Sequence, residues 1–174
     1  KGDEYVQDWL YPYHLGGTEK LVQAHATDLN RDGKNEIMAA TTTNVYFIEN
    51  KNSLAKQIFS AGSSSIKNFF IADLDRDGND EAVLLLKNND DNGNEINSLQ
   101  IIDAKIGESR GLNSLPSDTA TFAIGNVDND PALEIITSSG LIYDGASLIN
   151  AWYFSSGFGT NVATGDVDGD GIDE

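Results

Sequence analysis

The chain has 174 residues, 28 of them acidic and 11 basic, for a formal net charge of −17. Nucleic acids and anionic membrane surfaces bind through Lys and Arg, so this balance argues against both and favours divalent cations. No run approaches the roughly 20 apolar residues of a membrane-spanning helix, and the absence of cysteine excludes disulfides and thiolate metal sites.

In chain order the sequence reads as short strands. "EYVQDWLYPY" (4–13) is similar to "LINAWYF" (148–154), with Trp9 opposite Trp152. Residues 1–19 are therefore expected to end a preceding unit. "KLVQAHA", "NEIMAAT", "NVYFIEN" and "AKQIF" follow in 20–60, each rich in β-branched or aromatic residues and bounded by Asn, Gly or Ser. "NFFIA", "EAVLLL", "SLQIID" and the weaker "ESRGL" fill 65–115. "TFAIG", "LEIITS", "LIYDG" and "INAWYF" fill 119–155, and 158–174 opens another unit. The polar stretch "KNNDDNGNEIN" (87–97) is expected to be an extended loop. No window carries a helical stripe.

The predicted class is all-β, with blades of four antiparallel strands: about three full blades plus flanking strands. Three blades leave open edges, so the expectation is a segment of a larger propeller, or a ring completed by another copy.

An acidic motif enforces the repeat. "ATDLNRDGKNEIMAAT" (26–41), "IADLDRDGNDEAVLLL" (71–86), "AIGNVDNDPALEIITS" (123–138) and "ATGDVDGDGIDE" (163–174) align without gaps. Their first ligand-type residues, Asp28, Asp73, Asn126 and Asp166, are 45, 53 and 40 residues apart. Such periods mark stacked or radial repeats.

Alternating oxygens at positions one, three and five can turn inward together. A glycine at six permits the sharp turn, a carbonyl at seven and a carboxylate at nine complete an all-oxygen cage, and calcium fits it better than zinc or copper. The first loop offers Asp28, Asn30, Asp32, the Lys34 carbonyl and Glu36. The second offers Asp73, Asp75, Asp77, the Asn79 carbonyl and Glu81. The fourth offers Asp166, Asp168, Asp170, the Ile172 carbonyl and Glu174. The third has Asn126, Asp128, Asp130, the Ala132 carbonyl and Glu134, but Pro131 replaces glycine, so a weaker or differently shaped site is expected. Up to four calcium ions are expected. An EF-hand needs Glu at position twelve, where Ala39, Leu84 and Thr137 stand instead.

On these loops the chain resembles the FG-GAP, or VCBS-type, repeat family. This is the calcium-binding propeller blade of integrin α-subunit heads and of many bacterial and archaeal surface proteins. Phe158-Gly159 matches the "FG" element, while "AAT", "LLL" and "TSS" stand where "GAP" is expected, implying a divergent prokaryotic type. A fainter similarity links the third–fourth strand hairpins to quinoprotein propellers, with Trp9 and Trp152 read as ordinary core.

The resemblance implies a non-catalytic, calcium-stabilised propeller segment of an extracellular or cell-surface protein, acting in adhesion, recognition or assembly. Its expected partners are other blades or a second copy, and a protein or glycan ligand; nucleic acid and membrane insertion are not expected. Two alternatives stand beside it. One is part of a propeller enzyme, a polysaccharide lyase or quinoprotein-like dehydrogenase, although only His14 and His25 are histidines and neither has a nameable catalytic partner. The other is a structural subunit that polymerises by strand exchange.

Overall fold

The computed structural model describes residues 19–174. The sequence features at Trp9 and His14 lie outside that range. No helix long and apolar enough to cross a membrane occurs among the described residues.

Among the described residues twelve strands form three sheets, each an antiparallel meander. The first sheet has β1 (Leu21–Thr27), β2 (Glu36–Thr41), β3 (Asn44–Ile48) and β4 (Lys56–Ser60), in that order. The second has β5 (Ser65–Ala72), β6 (Glu81–Asn89), β7 (Glu95–Asp103) and β8 (Ser109–Leu115). The third has β9 (Phe122–Gly125), β10 (Glu134–Thr137), β11 (Leu141–Asp144) and β12 (Asn150–Tyr153). This is the propeller blade repeated, and the three blades do not close a ring.

The unbroken apolar run of β6 is explained by what lies on its two faces. Ala82, Leu84 and Leu86 join a cluster with Met38, Ala40 and Val45 of the first sheet. Val83 and Leu85 point the other way, into a cluster with Phe122, Ile135 and Tyr143 of the third. Side chains alternate across a strand, so a strand sandwiched between two sheets must be apolar at every position. The sheets thus pack face to face, with the middle one covered on both sides.

The structure corrects two expectations. First, the polar stretch 87–97 is mostly strand. Lys87 pairs with Asn97, Asn88 with Ile96 and Asn89 with Glu95, so only 90–94 turns. The Asp90 carboxylate accepts the N–H groups of Asn92 (2.9 Å) and Asn94 (2.8 Å), which makes the turn tight and lets the ladder run to its edge. Second, Trp152 is not core. It lies on the outer strand β12, 39% exposed, among exposed Tyr153, Phe154 and Phe158, on a sheet that no fourth sheet covers among the described residues.

Candidate metal sites

Three acidic loops join the first and second strands of their sheets. In each, position zero pairs with position nine: Thr27 with Glu36, Ala72 with Glu81 and Gly125 with Glu134. The fourth loop lacks flanking strands, yet Gly165 and Glu174 exchange backbone hydrogen bonds at the same place (3.3 and 3.1 Å).

Inside the loops one hydrogen-bond pattern recurs. The position-two N–H donates to the position-nine glutamate: Leu29 to Glu36 (3.0 Å), Leu74 to Glu81 (3.0 Å), Val127 to Glu134 (2.8 Å) and Val167 to Glu174 (3.1 Å). The position-five N–H donates to the side chain at three: Asp32 to Asn30, Asp77 to Asp75, Asp130 to Asp128 and Asp170 to Asp168. The position-seven N–H of Lys34, Asn79, Ala132 and Ile172 donates to the carboxylate at five. These bonds aim side-chain oxygens at a common centre. Ligand atoms of Asp28, Asp32 and Glu36 lie within 4.8 Å of one another, as do those of Asp73, Asp75 and Glu81, of Asp128, Asp130 and Glu134, and of Asp166, Asp168 and Asp170. Asp77 and Glu174 are not among these tight groups.

The turn itself has a feature that the spacing does not reveal. Position six is left-handed, as glycine permits, at Gly33 (φ 85°), Gly78 (φ 95°) and Gly171 (φ 93°), and its N–H reaches back to the carboxylate at one (2.8, 3.0 and 3.0 Å). Position four is left-handed too, although it holds Arg31 (φ 61°) and Arg76 (φ 59°) in two loops and Gly169 in another. The arginines then reach the neighbouring loop. A Cβ at Gly78 would lie 2.7 Å from the Arg31 guanidinium, and Arg76 Nε donates to the Pro131 carbonyl (3.2 Å). Thr27 Oγ1 bonds Asp80 (3.0 Å) and the Asn126 N–H bonds Asp173 (2.9 Å), so adjacent loops are tied in series.

The third loop is built differently. Pro131 has no N–H to return to position one, and neither it nor Asn129 has positive φ. The amide terminus of Asn126 stands 3.0 Å from the Asp128 carbonyl and 3.2 Å from that of Asp130. Turned so that its amide nitrogen stands there, Asn126 donates to both carbonyls.

The electrostatics expose the cost of these clusters. Glu134 is fully buried, and its Oε1 has no hydrogen-bond partner; Asp73 Oδ1 is buried and unpartnered as well. Burial first, then the charges of Asp128, Asp130 and Asp144, outweigh the Val127 N–H bond and together push the Glu134 carboxyl up to about 7. An unpaired buried carboxylate of this kind is what a hard cation would satisfy. The oxygen-only donor sets fit calcium, with Asp28, Asn30, Asp32 and Glu36, and their counterparts in the other loops, as the residues that would hold it.

The second loop has a cation of its own. Arg110 on β8 donates to Asp75 Oδ2 (2.6 Å) and to Glu81 Oε1. Burial raises the Asp75 carboxyl, but the Arg110 hydrogen bond, backbone N–H groups and the guanidinium charge outweigh it and hold Asp75 below the ordinary carboxylate range. Glu81, buried more deeply, is still raised. Spacing could not find Arg110, which enters from the outer strand; its only signal is a lone basic residue in the weak "ESRGL" segment. His25 is a packed residue: Nε2 meets the Phe69 carbonyl (3.1 Å) and the ring stands edge-on to Phe69 and Phe70.

Residues 28–84, from the first loop into β6, match the family model described as FG-GAP-like repeat. Searches of curated proteins and of solved structures return no match.

Proposed function

Residues 28–84 being an FG-GAP-like repeat, we propose that this chain is a non-catalytic, calcium-stabilised propeller segment of an extracellular or cell-surface protein, acting in adhesion, recognition or assembly. The observation that carries the calcium half is the orphaned Glu134 Oε1, fully buried among Asp128 and Asp130 in a loop that repeats around the chain. Carboxylates packed this way repel one another until a cation joins them, so binding to the folded chain alone stabilises it by linkage. Extracellular calcium modules work at about 10⁻⁴–10⁻³ M, where a loop of mixed Asp, Asn and Glu ligands would fill outside the cell. One loop per sheet, tied to the next, is the distribution of a structural staple. It supports a scaffold whose ligand, a protein or glycan, meets other surfaces.

The test is thermal unfolding of the metal-stripped chain with and without millimolar calcium. Calcium is expected to raise the melting temperature by several degrees, reversibly with EGTA. An unchanged transition removes the calcium half of the proposal.

A second reading, assembly through the open face, is favoured by the exposed Trp152, Tyr153, Phe154 and Phe158. Its occupant would be a further blade or a second copy of the chain. A concentration-dependent mass in light scattering supports the copy; a monomer at all concentrations excludes it.

A further inference from the structure

We infer that Arg110 is a tethered cation that competes with a divalent ion for the second acidic loop, making this loop less metal-dependent than the first and the fourth. The inference rests on the calcium reading above and adds a residue that the loop motif does not contain.

The position-nine glutamates reveal the difference. In all four loops Oε2 accepts the N–H of position two. The second oxygen is treated differently in the first three. In the first loop Oε1 of Glu36 accepts only a long bond from the Asn30 amide (3.3 Å), and in the third Oε1 of Glu134 has no partner. In the second, Oε1 of Glu81 is held by Arg110, whose other terminal nitrogen takes Asp75 Oδ2 at 2.6 Å. One guanidinium therefore spans positions three and nine, and its planar fork supplies two charge-assisted bonds. A divalent ion in this loop needs the same oxygens, and it would meet a positive charge already on them.

The outer strand delivers Arg110 by a bulge. Ile102 pairs with Ser109 and Ile101 with Gly111, leaving Arg110 as the extra residue. The same bulge leaves Ile58 in the first sheet and Ala151 in the third, and neither side chain carries charge. Among the described residues no basic side chain forms an ion pair with the other three loops. The middle sheet, covered on both faces, thus has its own internal counter-charge, and its neighbours depend on what the solvent supplies.

The test is a calcium titration of the metal-free chain, followed site by site through the backbone amide signals of Gly33, Gly78 and Gly171, for wild type, Arg110→Gln and Arg110→Lys. Gly78 is expected to respond at about tenfold higher calcium than the other two, a modest value for mutually exclusive ligands. Arg110→Gln is expected to bring it into their range without moving Gly33 or Gly171, and Arg110→Lys to fall between. Melting gives a second arm. Arg110→Gln lowers the transition more in metal-free buffer than in calcium, whereas a residue that merely packs lowers both alike. Gly78 responding together with Gly33 and Gly171 in wild type, or Arg110→Gln weakening its response, overturns the competition and leaves the calcium reading standing. No response at any loop overturns both.

Discussion

Glu134 is where the sequence states a carboxylate and the structure states its predicament. Its backbone belongs to β10 and its side chain is fully buried, so without a cation it is better off protonated. Its folded value of about 7 lies above the ordinary 4.5. A group shifted this way contributes stability that is complete below the unfolded value and is lost as pH rises through the folded one. The metal-free chain is therefore expected to melt lower as buffers go from about pH 5 to about pH 8, and Glu134→Gln to flatten that part of the slope. Asp75, held low by Arg110 once burial is overcome, contributes with the opposite sign, so the difference between wild type and Glu134→Gln is the quantity to measure. An identical pH profile in the two proteins contradicts the assignment. At this scale much of the loop was legible. Two-residue spacing placed Asp28, Asp73, Asp128 and Asp166 where the structure gathers carboxylates. The left-handed Arg31 and Arg76 were not legible, because arginine has no preference for that conformation and is held there by the loop it reaches. Arg110 was hidden for another reason: its partners are 35 and 29 residues away.

At the scale of the strand, β6 decides the architecture. Leu84 and Leu85 are adjacent in sequence and buried on opposite faces, one toward the first sheet and one toward the third. Leu84→Ala and Leu85→Ala are each expected to cost about 2–5 kcal/mol in denaturant unfolding, the range for a buried leucine truncated in a packed core. A loss within experimental error for either places that face in solvent and removes the stacked arrangement. The apolar run and the β-branched segments announced strands; that β6 is covered on both faces is seen only in the packing of Leu84 and Leu85. The β6–β7 hairpin was longer than its composition implied. Asn and Asp favour turns in isolation, but the ladder from Lys87–Asn97 to Asn89–Glu95 outweighs that preference where each residue has a partner across the strand. The aromatic segment at β12 misled in the other direction. Strands ending in Trp and Phe look like core, and they become core only if another sheet arrives to cover them.

At the scale of the molecule, three stacked sheets carry a row of four acidic loops, and the loops are bonded to one another as well as to their own strands. A net charge of −17 over the whole chain opposes compaction through self-repulsion, so added divalent cations are expected to favour the stack. Within that row the sites are unequal: Arg110 serves the second, an orphaned glutamate strains the third, and the fourth sits among exposed residues. The measurement that bears most directly on the whole account is a calorimetric titration of the metal-free chain with calcium, with bound ions counted against chain concentration. The account predicts saturable binding of more than one ion per chain, with heat abolished by prior addition of EGTA. A flat titration, with a fully folded chain in the cell, contradicts it.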